Sequence, residues 1–480
     1  MSVARVATNT EPQLRRELGQ WDLIWLSVVA IANLNLVPVF ASSGPISLWL
    51  LLLSLGVFFW PQGVAVIELS HRYPSEGGIY LWTKRQFGDF HGFLCGWCYW
   101  TVNFFYIPTL LFYLVGISLF IGSSPSGSSA ENRPLFFFVT LGLLWLIAIL
   151  NICGLGIGKW VNNLGGLGTF IAAAVFIVLG LLSLARHGSH LPVESLKIER
   201  LDWRLISSFG VICFGLIGLE LGAVMGDEIR DPRRAIPGGV FWGGLISGLL
   251  YLGATLSLLF AVPRHEIVLV QGGMQAISRL TADTGLAWLV SPVAVVMSLS
   301  IAGASSAWLA GTARVMFVAG LDSYLPRALG RIHTQHATPY VALIVQAMLI
   351  SLVVTMGFVG ASVREAYLTL LDLAVVLNMI AYLYMYGALV RVAFQTDMTP
   401  TYFNKRTLRA AALGGLVTTL VATAVPFVPS RQISSVSLFE LKMFTGCAIF
   451  LGLGVFFFRF YSRRRNYRDA EAQGRSKIAD

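Results

Sequence analysis

Phe214-Gly-Leu-Ile-Gly-Leu-Glu-Leu-Gly222 places one carboxyl, Glu220, among apolar residues and three glycines, and the chain then leaves by the polar run Gly226-Asp-Glu-Ile-Arg-Asp-Pro-Arg-Arg-Ala-Ile-Pro237. A carboxyl at the centre of a membrane helix costs about 2.5–3.5 kcal/mol on insertion scales and is usually kept for a substrate or a proton. Each glycine lowers helix propensity by about 1 kcal/mol, so the segment is primed to break at mid-depth. Broken helices expose backbone donors and acceptors to a solute, which is how carriers build their sites.

The rest of the chain supplies the membrane. Of 480 residues, 56% are hydrophobic and 12% charged, with mean hydropathy +0.72; a soluble domain carries about 25% charged residues. Apolar runs long enough to span a bilayer occur at 22–43, 46–70, 91–121, 134–152, 162–185, 204–226, 238–262, 287–319, 338–359, 364–393, 408–428 and 437–459. Small residues interrupt both the sixth and the eighth run. The expected fold is an all-α membrane protein of about twelve transmembrane helices in one unit, with no linker between soluble domains.

The formal charge of +10 follows topology rather than nucleic acid. With the N-terminus inside, cytoplasmic segments hold 24 of the 34 Lys and Arg residues. The positive-inside rule then places both termini in the cytoplasm of a cell (inner) membrane, with some contact to anionic lipid. The first twenty residues carry Glu11, Arg15, Arg16 and Glu17, which does not read as a cleavable signal. Cys95-Gly-Trp-Cys98 lacks the second pair a zinc site needs, and the seven histidines show no metal spacing within a helix. No metal, cofactor or enzymatic nucleophile–base set is expected.

A second interruption matches the first. Asn33-Leu-Asn35-Leu-Val-Pro38 lies in the first run, five runs before the glycine-rich break. Paired interruptions in two five-helix halves point to inverted repeats, 22–393, with the breaks of helices one and six crossing at the midplane. Helices eleven and twelve, 408–459, follow outside the repeat, flanked by tails at 1–20 and 461–480. Such a site suits a zwitterion: free N–H groups at a half-helix start attract a carboxylate, and unwound carbonyls attract an ammonium.

Six segments together resemble the amino acid–polyamine–organocation permeases, several of them in the manner of the glutamate/γ-aminobutyrate antiporter branch. They are Pro38-Val-Phe-Ala-Ser-Ser-Gly-Pro45, Glu76-Gly-Gly-Ile-Tyr-Leu-Trp82, Asn151-x-x-Gly154, the Gly218-Leu-Glu220 break with its exit, Glu266-Ile-Val-Leu-Val-Gln-Gly-Gly-Met-Gln275, and Ser306-Ala-Trp308-Leu-Ala-Gly311-Thr-Ala-Arg314. The resemblance implies a leucine-transporter-type fold, a 5+5 inverted repeat plus two helices, working by alternating access. It implies that a substrate carboxylate meets Asn33, Leu34, Asn35 and Leu36, and that the amino group meets the carbonyls of Phe214, Gly215, Leu216 and Ile217. It implies an aromatic gate at Phe214, a pocket wall at Trp308, and gating or proton coupling at Glu220. Tyr382 falls near one of the family's paired tyrosines, with Asn378 at the other. Ala304 stands where the acid-resistance antiporter has a glutamate, and Asn33-Leu-Asn35 where many members have Gly-Ser-Gly.

Glu220 has a second reading, a structural hydrogen bond across the break. Asp372 reads as a proton path or a buried structural group, and Lys159 as a snorkelling lysine or a mimic of a coupling ion. The expected activity is amino acid transport, by exchange or proton symport; a polyamine or other organic-cation carrier is the alternative. A channel would show polar stripes or charge rings, which are not evident. Expected partners are the amino acid, protons and the bilayer, with the oligomeric state, monomer or homodimer, left open.

Overall fold

The computed structural model describes residues 14, 16–122, 133–187, 203–262, 267, 272–357, 363–395, 401–427 and 436–479. Nine of the described helices are long and apolar enough to cross a membrane. Three further spans are the first and sixth, each in two pieces, and the ninth, α14 (Tyr340–Gly357). All twelve expected runs thus form helices, because a buried or lipid-facing backbone must satisfy its own hydrogen bonds.

The first span is α1 (Gln20–Ile31) and α2 (Val37–Ala41), with the chain unwound over 32–36. Its second half begins at Val37-Pro38, where proline's missing N–H is harmless in a first turn. The second span runs through α3 (Ile46–Ser54), a π-helical turn (Leu55–Phe59) and α4 (Trp60–Arg72). Pro61 cannot donate to the Val57 carbonyl, and the Thr418 hydroxyl takes that oxygen instead at 3.0 Å. A short helix, α5 (Ile79–Phe87), precedes the third span, α6 (Asp89–Ser118). Next come α7 (Arg133–Ile152) and α8 (Leu155–His187).

The sixth span is α9 (Trp203–Gly215) and a four-residue remnant, α10 (Leu221–Val224), with 216–220 unwound. Gly218 sits at φ +138°, and a Cβ there would meet Ile31 at 2.9 Å and Ala30 at 3.1 Å. Left-handed backbone and close contact therefore both require glycine at the crossing of the two breaks. The seventh span is α11 (Pro232–Ala261). The chain between the seventh and eighth spans carries α12 (Gly272–Thr284), whose first glycines face Pro38 and the Tyr113 hydroxyl, so it covers that end of the protein.

The eighth span, α13 (Val290–Leu321), is one continuous helix through its small residues. Those residues serve close packing: a Cβ on Gly303 would stand 2.6 Å from the Gly165 Cα of α8, the approach that small residues permit between membrane helices. The tenth span is α15 (Val363–Phe394), and α16 (Lys405–Ala424) is the eleventh. The twelfth, α17 (Val436–Ala479), does not stop near 459 but stays helical through the segment read as a tail. The two halves of the first span, α6, α11 and α13 surround the sixth-span break and define the centre of the molecule.

Candidate functional site

Two unwound segments cross at the centre, and their open backbone groups are met by side chains from neighbouring helices. The Tyr251 hydroxyl, on α11, stands 2.7 Å from the Ile31 carbonyl, 3.0 Å from that of Gly215, and 3.1 Å from the Asn33 N–H. It thus touches the last turns of both α1 and α9. The hydroxyl has one proton to give and can accept the Asn33 N–H at once. On the other side, the Trp308 indole of α13 donates to the Ala30 carbonyl at 3.2 Å, which also accepts the Asn33 amide at 2.6 Å.

Between these groups lies a narrow closed slot, too tight in this conformation to admit a water molecule, lined by Asn33, Val102, Asn103, Tyr106, Phe214, Ile217, Trp308 and Asn378. Three rings close it: Tyr106 stands edge-on to Phe214 at 5.0 Å and to Trp308 at 6.1 Å. Of its polar atoms, the amide oxygens of Asn33, Asn103 and Asn378 are buried without a protein donor. An acceptor left so costs about 1–3 kcal/mol, so three acceptors around one slot favour a ligand rich in N–H groups. No carboxylate lines it.

Glu220 lies beside the slot rather than in its wall and is fully buried. One carboxylate oxygen accepts the Tyr99 hydroxyl at 2.9 Å. The other accepts the Gly218 N–H at 3.1 Å, the Gln62 amide at 3.1 Å and, in a shorter bond, the Tyr382 hydroxyl. Gln62 donates in turn to Tyr382 at 2.6 Å. The carboxyl therefore ties the second, third and tenth spans to the break and closes the break on itself through Gly218.

Of the residues the sequence singles out, the structure gathers Asn33, Phe214, Ile217 and Trp308 in the slot. Leu34, Asn35 and Leu36 are buried beside it. Leu36 packs on Gly215, whose carbonyl goes to Tyr251, while Leu216 continues the last turn of α9 through its N–H. Tyr382 does not line the slot; it belongs to the Glu220 cluster and stacks on Phe58 at 5.8 Å. Asp372 and Lys159 lie outside the lining as well. Sequence reasoning missed Asn103, Tyr106, Tyr99, Gln62 and Tyr251. A signal existed for three of them: Tyr99, Asn103 and Tyr106 recur at helical spacing along one face of α6.

A second polar cluster seals the face where the N-terminal segment lies. Arg314, on α13, binds both carboxylate oxygens of Glu228, one of them at 2.8 Å, and donates to the Ala310 carbonyl at 2.7 Å. The Glu76 carboxylate stands 3.7 Å from the guanidinium and accepts the Asp227 N–H at 3.1 Å. Backbone bonds fasten this face: Glu17 and Leu18 donate to the Glu228 carbonyl at 2.9 and 3.0 Å, and Gly77 donates to Val224 at 3.0 Å. Burial, and then the charge of Glu228, hold the Glu76 carboxyl well above its ordinary range, with Arg314 pulling it down.

The sequence profile of the amino acid permease family matches residues 18–453. An uncharacterized transporter of Legionella pneumophila is 26% identical over 91% of this chain and 95% of its own length. The serine/threonine exchanger SteT of Bacillus subtilis is 26% identical over 61% of this chain and 65% of itself. The glutamate/γ-aminobutyrate antiporter of Lactococcus lactis subsp. cremoris is 23% identical over 70% and 68%. Among solved structures, that of MhsT in complex with L-phenylalanine superposes with a TM-score of 0.60, at 13% identity, over 86% of this chain and 99% of that one. The likeness gives the fold, that of the leucine transporter.

Proposed function

From the premise that this chain belongs to the amino acid permease family, we propose that it exchanges small neutral amino acids across the cell membrane by alternating access. The chain is a multi-pass membrane transporter and not an enzyme. The observation that carries the substrate reading is the slot itself, with three amide acceptors, no carboxylate and an aromatic lid.

A zwitterion suits these walls. Its ammonium carries three N–H donors, which Asn33, Asn103 and Asn378 serve without a full negative charge, and its carboxylate lies toward the start of α2. A polyamine would bring two or more cations into a slot with no lining carboxylate, at a desolvation cost nothing there offsets. An acidic side chain would meet no cation in the lining either, which favours a neutral substrate over glutamate.

Exchange is favoured over proton symport because Glu220 accepts hydrogen bonds from four groups at once. Protonating it forfeits part of that set, so it serves better as a fixed anchor for the break than as a shuttle. The similarity to the serine/threonine exchanger SteT and to the glutamate/γ-aminobutyrate antiporter supports the same direction. We read 22–393 as the inverted-repeat core and 408–459 as two accessory helices. The short segments 1–20 and 461–480 lie on the cytoplasmic side, consistent with the basic clusters there.

The test is uptake of a labelled amino acid panel into proteoliposomes at two pH values, with and without unlabelled substrate inside. Stimulation of serine-sized or other neutral substrates by preloading is the expected result. Uptake into empty vesicles driven only by a proton gradient would replace exchange with symport, and counterflow of polyamines alone would overturn the substrate class.

A further inference from the structure

Between α4 and α11 a groove of about 510 Å³ opens on the lipid-facing side. Its lining is almost wholly apolar, and its depth comes from glycines. Gly63 lies against Leu219 and Val240, Gly244 against Leu219 and Phe59, and Gly248 against Leu55 of the π-helical turn. Leu219, buried and inside the sixth-span break, is therefore part of the groove floor, one residue from Glu220. The rim residues Trp60, Leu245 and Leu249 are about half exposed or more.

These contacts also give the groove a direction. Leu55 pairs with Gly248, Phe59 with Gly244 and Gly63 with Val240, so Ile67 and Phe403 mark the end nearest the start of α11. That end is basic. Exposed Lys405 and Arg406 open α16 directly after Phe403, and exposed Arg233 and Arg234 open α11. Two cations in the first turn of α16 sit at the positive end of its dipole, an arrangement that an anion near them relieves. Arg234 has a nearby acid, Asp231 at 3.8 Å.

From this combination of an apolar channel and a cationic mouth, we infer that the groove binds one acyl chain of an anionic phospholipid. Its headgroup rests on Lys405 and Arg406, and its tail braces the unwound segment at Leu219. A lipid in this place couples bilayer composition to the mobility of the break. Neither the substrate slot nor the Glu220 hydrogen bonds need be altered by it.

The experiment uses the full chain in bilayers mixing phosphatidylcholine and phosphatidylglycerol, extracted mildly and weighed by native mass spectrometry. The natural sequence should retain one phosphatidylglycerol. Leu245→Trp with Leu249→Trp, which fills the groove from its rim, should lose it. Lys405→Gln with Arg406→Gln should keep a lipid but lose its preference for the anionic headgroup, by about five-fold per cation removed. Monodispersity and the thermal midpoint of each variant establish that it is folded. Equal retention by the rim variant, or an unchanged headgroup preference in the charge variant, overturns the proposal. Retention of phosphatidylcholine alone by the natural sequence does so too. Should the rim variant fail to fold, the charge variant decides the matter by itself.

Discussion

Two buried acidic clusters stabilise this carrier by opposite means. At the midplane, Glu220 is held by four neutral donors, from Tyr99, Gly218, Gln62 and Tyr382. On the N-terminal face, Glu228 and Glu76 share one guanidinium, that of Arg314. The difference follows from how each place can open. A neutral set of hydrogen bonds can be exchanged for another inside a low-dielectric core without leaving a bare cation. A charge pair separated there strands both ions, so it belongs where water enters as the face opens. The first cluster organises the break; under the alternating-access reading proposed above, the second holds its face closed to solvent.

The largest effect should come from breaking the charged side of this comparison. Arg314→Met leaves two buried carboxylates with no cation, and loss of one partner of such a pair costs about 3–5 kcal/mol. Thermal unfolding in detergent should fall accordingly, and cysteines placed along the slot should react faster with a reagent applied to the N-terminal face. An unchanged midpoint and reactivity would mean that the ion pair does not hold that face shut.

Glu220→Gln tests the neutral side. It turns one acceptor oxygen into a donor facing donors, a mismatch of about 1–3 kcal/mol. Counterflow should drop roughly ten-fold or more, by about 1.4 kcal/mol per decade, and equally at every pH if the carboxyl is an anchor. A loss confined to one arm of the pH profile would instead assign it to proton coupling.

Tyr251→Phe removes a single hydroxyl from between the two breaks and leaves the Asn33 N–H and a carbonyl without that partner. A loss of about 1–3 kcal/mol is expected, the usual range for an orphaned buried group. It should appear as faster hydrogen exchange at 31–33 and 215–217 while the outer helices stay protected.

The smallest effect concerns pH. The Glu76 carboxyl lies above its ordinary range when the face is closed, so the closed form binds more protons than the open one. Closure is therefore strongest below the ordinary carboxyl range, weakens as pH climbs from there to the raised pKa, and levels off above it. Reactivity of a cysteine behind the face should rise over that interval. Glu76→Gln should hold it at the low-pH level throughout, and a slope that survives this substitution would place the titration elsewhere.

The particular residues show why some of this could be read early. Glu220 and its glycines stood out because a carboxyl and helix breakers are rare in hydrocarbon. Asn33 was visible for the same reason, and both breaks lie where those residues put them. Tyr251 and Gln62 gave no such signal, since one tyrosine or glutamine in an apolar helix has many uses. Only the packing of α4 and α11 against the breaks selects theirs. Tyr382 illustrates the reverse case: its position beside Asn378 suggested a shared pocket, but one turn of α15 separates a slot residue from a Glu220 ligand.

The sequence by itself determined the twelve spans, the two interruptions and the basic clusters, because a bilayer leaves a run of apolar residues few options beyond a helix. Tertiary structure decided which polar side chains converge. It pressed Gly303 of the eighth span onto Gly165, and set four donors around Glu220 and one guanidinium between Glu76 and Glu228. Hydrophobic runs report transfer from water to lipid, a local property of each segment. Hydrogen-bond partners separated by hundreds of residues are fixed only when the helices that carry them pack.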